Sequence, residues 1–269
     1  MVPMVDFALV VAGSEASGGA GIQADLKTFQ QLGVHGSGAL TCIVSFDPKN
    51  DWGHRFVPVD APVIADQIEA ATAVHDIDVV KIGMLGTPVT IETVAREVSA
   101  RSFKHVVLDP VLICKGQEPG AALDTDTALR EKVLPLATVV TPNLFETKTL
   151  AGVDDITTVD ELVAAAKRIH ELGVPFVVAK GGVELPGPDA VDVLVSDDGV
   201  EVFSRPKIGE ERVSGAGCTF AAAITAELAK GASVRDAVAV AKDFVTAAVE
   251  ARLPSNAPFT SAWQGAYAG

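Results

Sequence analysis

The run Val213-Ser214-Gly215-Ala216-Gly217-Cys218-Thr219-Phe220 sets two glycines and a thiol at the head of a long alanine-rich apolar stretch. Glycine lets a backbone approach a ligand closely. The helix expected over residues 218–229 aims unpaired N–H groups and the positive end of its dipole at whatever lies before it. Such a turn suits an anion, phosphate above all. Cys218 there is a candidate proton acceptor near neutral pH, because helix N-termini favour a thiolate. Read alone, Gly215, Ala216, Gly217 and Cys218 also fit an ordinary loop before a tightly packed helix. Further chemistry-bearing residues follow strand-length apolar runs. They are the stretch 13–21, Asp109-Pro110 with Cys114-Lys115-Gly116, Thr141-Pro142-Asn143 with Glu146, and Lys180-Gly181-Gly182. Loops that carry Gly, acid, amide or Lys after so many strands describe a phosphate-handling site, since ligands of parallel α/β sheets collect at the carboxyl ends of the strands.

The elements that must hold these loops alternate along the chain. Strands are expected at 6–12, 38–46, 79–83, 105–109, 138–141, 176–180 and 191–195, and helices at 20–32, 62–74, 88–100, 127–133, 159–172, 218–229 and 234–252. The pattern predicts an α/β fold with a largely parallel sheet covered by helices. The clearest helix, 159–172, opens on a capping box of Thr158 and Glu161 and stops at Gly173 before Pro175. The Gly/Pro-rich stretches 115–120 and 185–188 read as loops and not linkers, so residues 1–269 are expected to form one domain.

Composition limits the partners. A hydrophobic fraction of 48% and mean hydropathy of +0.33 exclude disorder. No apolar run reaches the roughly 18 residues of a membrane helix, and no basic n-region precedes Lys27, so a soluble, cytoplasmic protein is expected. Net charge of −14 argues against nucleic acid or an anionic membrane as partner, and leaves an anionic ligand to be held by backbone amides, a few lysines or a metal. Cys42, Cys114 and Cys218 are too widely spaced for a disulfide framework or a zinc cluster.

The stretch 12–28, Ala-Gly-Ser-Glu-Ala-Ser-Gly-Gly-Ala-Gly-Ile-Gln-Ala-Asp-Leu-Lys-Thr, resembles the N-terminal signature of the hydroxymethylpyrimidine and pyridoxal kinases of the ribokinase-like superfamily. Asp109-Pro110-Val111, Thr141-Pro142-Asn143-Leu144-Phe145-Glu146, Lys180-Gly181-Gly182 and Gly215-Ala216-Gly217-Cys218 follow in that family's order and spacing. The resemblance implies a three-layer ribokinase-like α/β fold, ATP and Mg²⁺, a homodimer, and phosphorylation of a hydroxymethyl group on an aromatic nitrogen heterocycle. A second cysteine after Asp-Pro, in Val111-Leu112-Ile113-Cys114-Lys115-Gly116, and the stretch around His54 are similar to the pyridoxal-kinase branch. Hydroxymethylpyrimidine (phosphate) kinase, alone or as a second activity, is the alternative. The chain departs from the family pattern at Glu15 (usually Asp), at Ser37 and Gly38 (typically Met-Thr), and at Ser214 (commonly His).

Under this resemblance Cys218 is the base and the amides of Gly215, Ala216 and Gly217 stabilise the transferring phosphoryl group. Thr141, Asn143, Lys180, Gly182, Gly215 and Gly217 are expected at ATP, and Asp109 and Glu146 at Mg²⁺. Ser14, Gly21, Asp25, His54 and Cys114 are expected at the substrate, with Asp25 hydrogen-bonding the ring and Cys114 adding to the aldehyde of pyridoxal. Against this stand plainer readings: Asp25 as an exposed helix residue, Lys180 as a strand-end lysine, His54 and Cys114 as loop residues, and Cys42 as core. Two rivals keep the fold and change the role, an ATP-dependent hydrate dehydratase and a silent vitamin-binding protein.

Overall fold

The computed structural model describes residues 5–112 and 119–268. The strands are β1 (Asp6–Glu15), β2 (Val34–Asp47), β3 (Gly53–Pro58), β4 (Val79–Ile82), β5 (His105–Leu108), β6 (Val139–Val140), β7 (Phe176–Lys180), β8 (Asp189–Ser196) and β9 (Gly199–Pro206). They form one sheet in the order β3-β2-β1-β4-β5-β6-β7-β8-β9. Neighbours from β2 to β7 are parallel. The pairs β2–β3, β7–β8 and β8–β9 are antiparallel. Helices α2 (Ala61–Val74), α3 (Pro88–Ser99), α5 (Leu144–Ala151) and α6 (Val159–His170) cover one face through Ile64, Ile91, Leu144 and Leu162. Helices α1 (Gly21–Gln31), α7 (Ala216–Ala229) and α8 (Val234–Glu250) cover the other through Ile22, Phe220 and Phe244. The architecture is the expected three-layer α/β fold with a mostly parallel sheet.

Each expected strand and helix is present, with shifted ends. The helix expected at 127–133 is α4 (Pro119–Ala128) running into a π-turn over Leu129–Val133. Three elements were not foreseen. β3 and β9 are edge strands, and an edge needs no continuous apolar run: β9 leaves Val200 and Val202 exposed and carries Glu201 and Arg205 between turns. Helix α5 begins at the Asn143 that the sequence had suggested was a loop.

One regularity positions the site. Val79, Val107, Val139 and Val178, one each from β4, β5, β6 and β7, share a single apolar cluster with Phe220, Ala221 and Ile224 of α7. Strand side chains alternate between faces, so the residue two places on returns to the α7 side. In the four strands that residue is Lys81, Asp109, Thr141 and Lys180. The ladder continues far enough to hold them, with the Asp109 N–H donating to the Ile82 carbonyl and the Thr141 N–H to the Leu108 carbonyl, each at 2.9 Å. A row of polar groups therefore lies along the carboxyl edge of the sheet, beneath the start of α7.

Helix α7 lies low on that face because its contact residues are small. Ala221, Ala222, Ala223 and Ala226 have no exposed surface, and Ala222 shares an apolar cluster with Ala8, Val10, Ala12 and Ile22. Ala222→Leu should overfill this contact and destabilise the protein by about 1–3 kcal/mol. A urea midpoint unchanged from the parent would contradict so close an approach.

Candidate active site

The turn before α7 is shaped by backbone alone. Gly215 caps the helix with φ of 80°, a left-handed conformation, and a Cβ there would run into the carbonyl of Gly19. Two glycine-bearing loops are thus stacked directly on each other. The second, which leads into α1, is organised by Glu15. Its carboxylate accepts from the Ser17 N–H and hydroxyl, both at 2.6 Å, and from the Gly19 N–H at 3.2 Å. Gln23 completes the loop, accepting from the Glu15 N–H at 3.0 Å and donating to the Ser14 hydroxyl at 2.7 Å. Ala20, the N-cap of α1, lies against Gly215, the N-cap of α7. The Cys218 thiol, part-buried, therefore sits where the N-termini of two helices meet.

The polar row below is mutually paired. Lys180 Nζ donates to Asp109 Oδ1 at 3.0 Å, and the Thr141 hydroxyl lies 3.4 Å from the same oxygen. Gly217 lies over this pair, where a Cβ would stand in ordinary contact with Lys180 Nζ at 3.5 Å. Lys81 Nζ donates to both carboxylate oxygens of Asp25, at 3.0 and 2.8 Å, with both residues wholly buried. Asn143 and Glu146 form a reciprocal cap on α5: the Glu146 N–H donates to Asn143 Oδ1 at 2.9 Å and the Asn143 N–H to Glu146 Oε2 at 2.7 Å.

Asp109, Asn143, Glu146, Lys180, Gly182, Gly215, Ala216, Gly217 and Cys218 line one cavity of about 660 Å³. This assembles most of the residues expected at nucleotide, metal and phosphate. The exposed reading of Asp25 needs correction. Asp25 has no exposed surface and accepts from Lys81 on both oxygens, so it is not an exposed helix residue. Thr141 is likewise fully buried and braces Asp109 instead of facing the cavity. Ser14 and Gly21 shape the loop beside the thiol. His54 stands on β3, its ring edge-on to Phe46 at 4.7 Å, and Phe46 in turn meets Phe259 at 4.7 Å. Cys114 lies outside the described residues. Cys42 is core, packed so close beneath Gly13 that a Cβ there would strike its sulphur.

Comparison with known proteins decides the kinship. The model of the phosphomethylpyrimidine kinase family matches residues 15–261. The chain belongs to the phosphomethylpyrimidine kinase family. It is 49% identical to a pyridoxine kinase of Bacillus subtilis over 249 residues, 93% of this chain and 92% of that one. It is 42% identical to a hydroxymethylpyrimidine/phosphomethylpyrimidine kinase of Haemophilus influenzae over 248 residues, 90% of each chain. The solved pyridoxal kinase of Staphylococcus aureus in complex with AMP-PCP and pyridoxal superposes with a TM-score of 0.90 at 37% identity, covering 99% of this chain and 96% of that one.

In this member of the phosphomethylpyrimidine kinase family, burial and the buried lysines compete to set the site's proton affinities. Cys218 was expected to ionise near neutral pH at a helix N-terminus. Burial instead pushes its thiol up to about 11, against the lowering effects of Lys81 and the Gly21 N–H. Asp25 is pushed up to about 6 by burial, although the Lys81 charge opposes it. Asp109 is also buried, yet the Lys180 and Lys81 charges outweigh that and hold it below its ordinary value. Lys81 escaped the sequence reading, although the signal was visible as a lysine inside the apolar strand Val79-Val80-Lys81-Ile82.

Glu146 is pushed up to about 8 by burial, with the Asp109 charge adding to the rise. The unfolded chain loses this proton above the ordinary value of 4.5 and the folded protein keeps it to about 8, so folding takes up a proton in that window. Stability then falls as pH rises through it. In metal-free buffer the parent's Tm should decline from about pH 5 to about pH 8, and Glu146→Gln should decline less. Identical slopes would contradict a protonated Glu146.

Proposed function

We propose that the chain phosphorylates the hydroxymethyl group of pyridoxal, and of pyridoxine and pyridoxamine, with ATP as donor. The observation that carries this reading is the position of Cys218, at the meeting of two helix N-termini and on the wall of the cavity that holds Asp109, Glu146 and Lys180. The pyridoxine kinase and pyridoxal kinase relatives support the choice of substrate. The hydroxymethylpyrimidine kinase relative supports activity on hydroxymethylpyrimidine as a second reading.

The substrate hydroxymethyl oxygen attacks the γ-phosphorus as the bond to the ADP oxygen breaks. Its proton passes to the thiolate form of Cys218, which becomes the thiol, and the amides from Gly215 to Cys218 receive the charge of the transferring group. Lys180 adds a point charge toward the phosphates, held in place by Asp109. Asp109 and Glu146 suit Mg²⁺, an ion that binds few protein carboxylates and keeps waters and phosphate oxygens. Both line the cavity, and their hydrogen bonds among the described residues fall on Oδ1 of Asp109 and Oε2 of Glu146. When bound, Mg²⁺ neutralises charge on the β- and γ-phosphates. We read the protein as a homodimer. Ile43 and Val57, cross-strand partners on the edge hairpin β2–β3, are 50% and 58% exposed, an apolar pair that a second copy can cover. Among the described residues no helix is long and apolar enough to cross a membrane.

The test is ADP release with Mg-ATP and pyridoxal, run beside hydroxymethylpyrimidine. Pyridoxal should be the better substrate, and Cys218→Ala should lose about 10²- to 10⁴-fold in kcat while keeping nucleotide affinity. Because the thiol is held high, kcat/KM of the parent should rise with pH from neutral into the alkaline range. A variant within a few-fold of the parent would remove Cys218 from the chemistry, and a preference for hydroxymethylpyrimidine would overturn the substrate.

A further inference from the structure

Residues 251–267, which follow α8, take no part in the chemistry described so far, yet they hold the phosphate turn from outside. Leu253 and Ser261 exchange both backbone hydrogen bonds, at 2.8 and 3.1 Å, and so fold the segment back on itself. The returning limb runs beside the turn as a parallel bridge. The Ser214 N–H donates to the Thr260 carbonyl at 2.9 Å and the Ala262 N–H to the Ser214 carbonyl at 3.0 Å. Ser261, between them, packs on the other glycine loop, where a Cβ on Gly19 would strike its hydroxyl. The Trp263 N–H is then anchored to the Ala248 carbonyl of α8 at 2.9 Å. The next side chain, Gln264, is 1% exposed and donates its amide to the Thr219 hydroxyl at 3.0 Å.

Thr219 is the residue after Cys218, and its N–H closes the first turn of α7 onto the Gly215 carbonyl at 2.8 Å. Its side chain is treated unlike its neighbours. In α1 and α7 the fully buried Thr28 and Thr225 give their hydroxyls to carbonyls four residues back, at 2.8 Å each, and are satisfied by their own helix. The Thr219 hydroxyl, equally buried, is met instead from 45 positions away. We propose that Gln264 is a positioning residue: by holding Thr219 it fixes the first turn of α7, so that the amides from Gly215 to Cys218 stay where the transferring phosphoryl group meets them. That role rests on kinase activity at this turn. Stabilisation by preset amides falls steeply when they move, and a hydrogen bond between two buried polar groups, strong in such surroundings, keeps them still.

The experiment compares the parent with Gln264→Met, Thr219→Val and the double variant, each checked for fold by circular dichroism. The readouts are Tm, kcat with Mg-ATP and pyridoxal, ATP affinity by calorimetry, and hydrogen exchange of the peptide spanning residues 213–220. Each single variant strands a buried polar partner, so Tm should fall. The double variant strands neither, and its Tm should return most of the way to the parent. The rate should part company with Tm. It should be about tenfold down in both single variants, and neither restored nor lowered further in the double, since displacing the amides costs less than the roughly 10²- to 10³-fold of deleting one such donor. ATP affinity should stay within a few-fold, and exchange over 213–220 should be faster in all three variants. A kcat that never falls, or that follows Tm back up in the double variant, would make Gln264 a structural residue only. A loss confined to ATP affinity, or exchange unchanged from the parent, would overturn its role as well. A parent that releases no ADP would defeat the kinase reading instead, and exchange then decides whether Gln264 holds the turn.

Discussion

Asp25, Lys81, Asp109 and Lys180 are withdrawn from water beneath one helix N-terminus, and the surrounding structure depends on their remaining paired. Each pair makes charge-assisted hydrogen bonds at 2.8 to 3.0 Å. Stranding one partner of such a buried pair typically costs about 3–5 kcal/mol, a large share of the stability of a single domain. The pairs also tie distant segments together, since Asp25 comes from α1, Lys81 from β4, Asp109 from the end of β5 and Lys180 from β7. Apolar residues of similar volume would hold the fold at least as well. The pairs lie along the carboxyl edge of the sheet below the start of α7, in a protein of net charge −14.

The alternation of side chains along four parallel strands places them there. One valine per strand seals the sheet against α7, and the next residue on that face is polar and lies at the carboxyl edge. Small residues let α7 descend close enough for its first amides to share that edge, and the stacking of Gly215 on Gly19 fixes its lateral position. The site is therefore divided. The cavity holds Asp109, Glu146, Lys180 and Cys218, while the loop of Glu15 is stacked under Gly215 and the aromatic set Phe46, His54 and Phe259 packs together apart from the cavity lining. Cys218 lies on the cavity wall where the N-termini of α1 and α7 meet.

Much of this was legible in the chain. Strand-length apolar runs marked every central strand, and the polar residue after each run marked the edge. The misses have physical causes. β3 and β9 are edge strands whose residues need not be apolar. Helix α5 announced itself by Asn143 and Glu146, the same cap pattern that located α6 from Thr158 and Glu161, but its residues had been assigned to ligands. The pairing of Asp25 with Lys81 could not be read because it is a contact across 56 positions of sequence. The state of Cys218 was misjudged for a related reason: a helix N-terminus is visible in sequence, whereas the burial that outweighs it is not.

The central claim is that phosphoryl transfer occurs at the junction of the two glycine loops, over the paired charges. The most direct measurement is a crystal structure of the protein with Mg²⁺, AMP-PCP and pyridoxal. The account predicts the terminal phosphonate against the amides of Gly215 to Cys218 and the pyridoxal hydroxymethyl oxygen within hydrogen-bond reach of the Cys218 sulphur. A terminal phosphonate bound away from that turn, or a hydroxymethyl group pointing away from Cys218, would contradict it.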